Sequence, residues 1–131
     1  EKAGAGEMEK LTAIMSEIFK NEVGKVTTTE KLTNSPVSLN VEQGQMSIHL
    51  ERLMRSHQQQ TAFASTRILE LNPYHPLIIK LAAMSMEETN RPKVIEVSKI
   101  LLDQAKIAEG ENISDPAFYV AKLSDYILKA M

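Results

Sequence analysis

"RPKVIEVSKILLDQAKIAEGENISDPAFYVAKLSDYILKAM", residues 91–131, decides how the rest of the chain is read. It holds two helical periods separated by a stop and a start. Gly110 suits the left-handed residue that closes a helix. Asp115 followed by Pro116 suits a cap and a first helical position, so the pattern predicts helices over about 93–109 and 115–130. On the first, Val94, Val97, Leu101, Leu102, Ala105 and Ala108 form one face, with Ile100 and Ile107 roughly opposite. On the second, Tyr119, Val120, Leu123, Tyr126, Ile127 and Ala130 cover a broad arc that Ala117, Ala121 and Leu128 widen. Only a narrow polar seam of Lys122, Asp125 and Lys129 remains, interrupted by Phe118. A helix apolar over more than half its circumference must be covered on two sides. Either the other helices of the chain finish that cover, or a second copy does, a symmetric dimer being the commonest arrangement. The pattern alone leaves both open. Asp103 and Gln104 fit a polar layer between helices or an exposed pair equally well.

Upstream, Met8, Leu11, Met15, Ile18 and Phe19 predict a first helix from Met8 to about Asn21, stopped near Gly24. "KVTTTEKLT" and "VSLNV" alternate at a period of two, with three threonines in the former and Val37, Leu39 and Val41 on one side of the latter. With "TNSP" between them as turn chemistry, they read as a hairpin. Met46, Leu50, Leu53 and Met54 then form the apolar stripe of an amphipathic helix over about 46–57, flanked by Gly44 and "HQQQ". "TRILEL" is a third strand, and "NPYHP" opens a further helix with Asn72 as the expected cap. The expected class is α+β: a small three-stranded sheet packed with helices. Residues 1–7 read as a linker or an artificial edge, and 8–131 as one domain.

The 131 residues are enough for one core. The formal charge of −2 is dispersed, with no basic block of the kind that offsets phosphates, so nucleic acid is not an expected partner. No apolar run approaches the roughly 18 residues of a membrane span, and no membrane partner is expected. The absence of cysteine excludes disulfides, thiol catalysis and thiolate-bound zinc, and fits a reducing cytoplasm, the expected location.

Catalytic chemistry has little to stand on. His49 and His57 are eight apart and lack the spacing that holds zinc, and His75 between Tyr74 and Pro76 reads as a structural contact. No serine sits in a G-x-S-x-G setting and no carboxylate pair stands out. Gly4 and Gly6 follow no strand, so they do not form a phosphate loop. The expectation is a non-enzyme with no catalytic, metal or cofactor residues and no small-molecule ligand. Its apolar stripes imply interaction.

Five stretches then carry a resemblance. "LELNPYHPLIIKL", "LLDQAKIAEG", "DPAFYVAKLSDYIL", "KLTNSPVSL" and "QMSIHLERLM" are similar, in this order and near these spacings, to segments of the carboxy-terminal domain of the ninety-kilodalton heat-shock protein chaperones, the bacterial HtpG branch in particular. The similarity spans about positions 8–130; one motif is weak, five in register are specific. It implies a homodimer through a four-helix bundle built from the last two helices of each protomer. The expected interface side chains are Leu101, Leu102, Ala105 and Ala108, with Leu123, Tyr126, Ile127 and Leu128. It implies client-protein contact through Met46, Leu50, Leu53 and Met54, and an ATP site in another domain of a longer chaperone. Competing readings are an autonomous homodimeric adaptor and a small ligand-binding or catalytic domain using Tyr74 and His75.

Overall fold

Helix α1 (Ala5–Ile18) owes its orientation to Met8, Leu11, Ile14 and Met15, which repeat at helical spacing and are all buried. The computed structural model describes residues 2–31, 33–41 and 67–131. Strands β1 (Lys25–Thr28), β2 (Val37–Val41) and β3 (Arg67–Leu71) follow, then α2 (Pro76–Met84), a short 3-10 turn (Glu88–Asn90), α3 (Arg91–Ala108) and α4 (Pro116–Ala130). The class is α+β, as expected: a three-stranded mixed sheet with four helices among the described residues. Helix α1 starts before Met8, and Ala3 lies in the core with its N–H donating to the Pro73 carbonyl at 2.8 Å. The stripe expected over 46–57, with Met46, Leu50, Leu53, Met54, His49 and His57, lies outside the described residues.

The sheet order is β1-β3-β2, which corrects the expected hairpin. β3 lies between the other two, parallel to β1 (Lys25↔Ile68, Thr28↔Leu71) and antiparallel to β2 (Val37↔Leu71, Val41↔Arg67). The reason is burial. β3 presents Arg67, Leu69 and Leu71 to the interior, and its two neighbours complete the ladder on both sides. The connection from β1 to β2 is therefore a bridge across the end of β3. Asn72 pins that bridge: its Nδ2 donates to the carbonyls of Thr33 (3.0 Å) and Ser35 (3.1 Å), and its N–H to Pro36 O (2.8 Å). With its side chain so used, Asn72 does not cap α2. Its Oδ1 instead accepts from Tyr74 N–H at 3.0 Å, and His75 supplies the cap, its Nδ1 accepting from Leu77 N–H at 3.1 Å. His75 is thus a structural residue, as its sequence context suggested.

Helix α3 is the central element, packed against α1, α2, α4 and β2. Val94, Leu101, Leu102 and Ala105 join Leu11, Met15, Phe19, Leu39, Leu69 and Ile78 in one core. Ile100, on the opposite side by its spacing, is buried as well. The helix closes at Gly110, whose φ of 75° is a left-handed value that suits a residue without a Cβ. Gly110 N–H donates to Ile107 O (2.9 Å) and Glu111 N–H to Lys106 O (2.8 Å), the paired closure of a Schellman motif. That turn drives Glu111 inward. Its Oε2 accepts from Arg67 Nε (3.1 Å) and Nη2 (2.9 Å), an ion pair with both side chains almost fully buried.

Candidate functional site

Helix α4 is begun by Asp115, whose Oδ1 accepts from Phe118 N–H at 3.1 Å, with Pro116 in the first turn, as the spacing predicts. Not one of its residues is buried. Val120 and Ile127 are 61% and 53% exposed, and Leu128 beside them is 72% exposed. Val120 and Ile127 are a heptad apart and Leu128 is one position on, so the three share one side of the helix. Met131 extends that row in sequence and is also exposed.

A polar cluster ties α4 to α3, beside the half-buried Phe118, Tyr119 and Leu123. Tyr126 Oη donates to Glu96 Oε2 on α3 at 2.6 Å. Lys93 Nζ lies 3.2 Å from Tyr126 Oη and 3.4 Å from Glu96 Oε2, and Lys122 Nζ is 3.4 Å from Glu96 Oε1. Lys93 and Lys129 also approach the Tyr126 ring, at 5.2 and 5.6 Å from its centroid. An ordinary surface helix buries its apolar side and leaves its charges in water. α4 places Lys122 and Tyr126 against α3 and leaves Val120, Ile127 and Leu128 outside.

The Tyr126 hydrogen bond holds the Glu96 carboxyl below its ordinary value of 4.5, helped by Lys93 and Lys122 and opposed by desolvation. Desolvation and the same Glu96 contact push the Tyr126 phenol up. A carboxyl depressed in the folded state adds stability above its unfolded value and loses it as the pH falls through the folded one. The α3–α4 tie should therefore be complete above about pH 4.5 and weaken below it. In Tyr126→Phe the Glu96 carboxyl should titrate closer to 4.5, which NMR of that carboxyl reads directly; an unmoved titration would remove Tyr126 as the cause.

The residues expected at an interface fall into two groups. Leu101, Leu102 and Ala105 are consumed by the protomer's own core and offer no surface to a partner. Ala108, Ile127 and Leu128 are exposed, while Leu123 and Tyr126 are half-buried. The reason is that the apolar face of α3 is covered by its own protomer, with Lys99 and Gln104 left on its outer side, whereas α4 buries no residue fully. Val120 was not among the expected interface residues, although its place a heptad before Ile127 on the broad arc could have singled it out. Asp103 is buried and Gln104 exposed, so the pair splits between the two alternatives. Among the described residues no helix is long and apolar enough to cross a membrane.

Comparison with known proteins places this architecture. The family model described as "Hsp90 protein" matches residues 1–131, the whole chain. The chain belongs to the Hsp90 protein family. It is 40% identical over 124 residues to the chaperone protein HtpG of Nitrosospira multiformis, covering 95% of this chain and 18% of that protein. It is 39% identical to the HtpG of Nitrosomonas eutropha over 95% of this chain and 18% of the relative. It is 33% identical to the HtpG of Rhodospirillum rubrum over 98% of this chain and 20% of the relative. The chain thus spans about a fifth of the length of the curated Hsp90-family relatives it matches.

Proposed function

We propose that this chain is the carboxy-terminal homodimerisation and client-contact domain of an Hsp90-family chaperone that assists protein folding in the cytoplasm. One observation carries the reading: α4, held to its protomer by a polar cluster, turns Val120, Ile127 and Leu128 outward. An exposed apolar row on one helix side suits an interaction surface, and a two-fold copy presenting the same row is the simplest cover. Pairing α3 and α4 with their mates gives a four-helix bundle in which Ala108, Leu123, Ile127 and Leu128 meet the partner and Leu101, Leu102 and Ala105 support them from within. Clients contact Met46, Leu50, Leu53 and Met54. The chain itself carries no catalysis and needs no cofactor; nucleotide chemistry belongs to another domain of the parent, as family membership suggests.

Sedimentation of the intact chain at micromolar concentration tests the self-association. A dimer is expected, with roughly 1,600 Å² or more buried in total. Changing Ile127 and Leu128 together to Ser should weaken it by more than tenfold, since each tenfold needs only about 1.4 kcal/mol, while leaving the protomer folded because both side chains are exposed. A monomeric wild-type chain would sink the proposal. A dimer that ignores the double change would move the interface elsewhere and favour the adaptor reading.

A further inference from the structure

A cavity of about 260 Å³ opens where the end of α1, the middle of α3 and the start of α4 meet. Phe19, Leu102 and Phe118 give it apolar walls, and Glu22, Asp103 and Asp115 bring carboxylates to it. Asp103 is the unusual member. It is 6% exposed, it lines the cavity, and among the described residues no hydrogen bond or ion pair reaches its carboxylate. The lysines of its own helix are engaged elsewhere. Lys106 Nζ lies 2.5 Å from Glu22 Oε1, and Lys99 Nζ stands over the Phe118 ring, 5.8 Å from its centroid. Burial pushes the Asp103 carboxyl up, Lys106 opposes that, and Glu22 and Asp115 reinforce it.

The Asp103 side chain is largely buried while its oxygens keep an opening to the cavity, and a carboxylate so partly desolvated is favoured by a cation placed against it. The charged groups around the cavity are Glu22 after α1, Lys99, Asp103 and Lys106 on α3, and Asp115 before α4. They leave one negative charge in excess. A metal ion is a poor match, because among the described residues no three acidic or histidine side chains converge as ligands. The walls suit carbon instead. The volume is just under the roughly 300 Å³ at which pockets for drug-sized ligands begin, so it fits a short chain with one charged end.

We propose that this cavity binds a primary alkylammonium group, with Asp103 receiving the ammonium and Phe19, Leu102 and Phe118 enclosing the methylene stem. A lysine side chain of a protein and a free aliphatic amine share that chemistry. The site is independent of the self-association reading, since it does not use the outward row of α4.

The test follows the Asp103 carboxyl carbon by NMR while n-butylammonium chloride is added to the intact chain at constant ionic strength, with sodium chloride as the matched control. A saturable shift is expected, together with a fall in the Asp103 pKa and at least tenfold weaker binding to Asp103→Asn. A response no different from sodium chloride, or unchanged binding in the variant, would overturn the proposal. The wild-type chain supplies a second measurement that needs no variant. Binding should vanish as the pH falls through the Asp103 titration, and binding that persists on the protonated acid overturns the site equally. An acetylated, amidated Gly-Lys-Gly peptide separates the sources. If it binds at least as well as n-butylammonium, the site takes lysine side chains; if the amine binds and the peptide does not, the site takes free amines.

Discussion

Glu111→Ala is expected to lower the stability of the protomer by about 3–5 kcal/mol, the range for truncating one partner of a buried ion pair. That is a large part of the roughly 5–15 kcal/mol that holds an ordinary domain together. The change strips both Arg67 contacts from a site where each side chain is almost fully buried. It also loosens the turn at Gly110, because Glu111 N–H closes the Schellman motif onto Lys106 O and the side chain anchors that turn to β3. Glu111→Gln, which keeps the shape and one acceptor, should cost clearly less. Urea unfolding of the two variants at neutral pH checks the order; equal midpoints for Glu111→Ala and the wild type would show that the pair adds nothing.

Leu102→Ala should cost about 2–5 kcal/mol, through lost burial and the cavity left behind. The side chain is 1% exposed and belongs to the single core of the protomer, so the loss falls on the folding of each protomer. In the dimer proposed above, Leu102→Ala lowers the unfolding midpoint, while the Ile127 and Leu128 double change lowers the association constant. Unfolding measured at two protein concentrations distinguishes them. A midpoint for Leu102→Ala that matched the wild type would take Leu102 out of the core.

The two helices at the end of the chain were legible because their punctuation is local. Gly110, Asp115 and Pro116 each act within one turn, and the structure uses all three as their chemistry suggests. The class and the three strands were legible for the same reason. The strand order was not, because β1 pairs with residues far along the chain and alternation says only that a segment pairs, never with what. The division of the two apolar helices, α3 for the core and α4 for the surface, was equally hidden. Both show broad apolar arcs, and only the packing of α1 and the sheet onto α3 decides which arc stays outside. The Arg67–Glu111 pair joins a strand to a turn with the whole of α2 and α3 between them in sequence, and no short-range signal marks it.

The bridge from β1 to β2 bears on how the chain folds. The contacts of α3 with α4 are close in sequence and carry their own caps, so they can form early and quickly. The sheet cannot, because Lys25 must find Ile68, forty-three positions along the chain, before that pairing rewards the closure. Until β3 arrives, β1 and β2 are two alternating segments joined by a turn-rich connection, each with an unfilled edge. Pairing directly with one another would be the low-contact-order choice, and it would occupy the two edges between which β3 sits in the native sheet. Asn72 follows β3 immediately, so its three hydrogen bonds to the bridge form only when β3 is seated. Alternation alone is equally compatible with direct β1–β2 pairing, and the three Asn72 hydrogen bonds, which require β3 in place, add stability to the native order only.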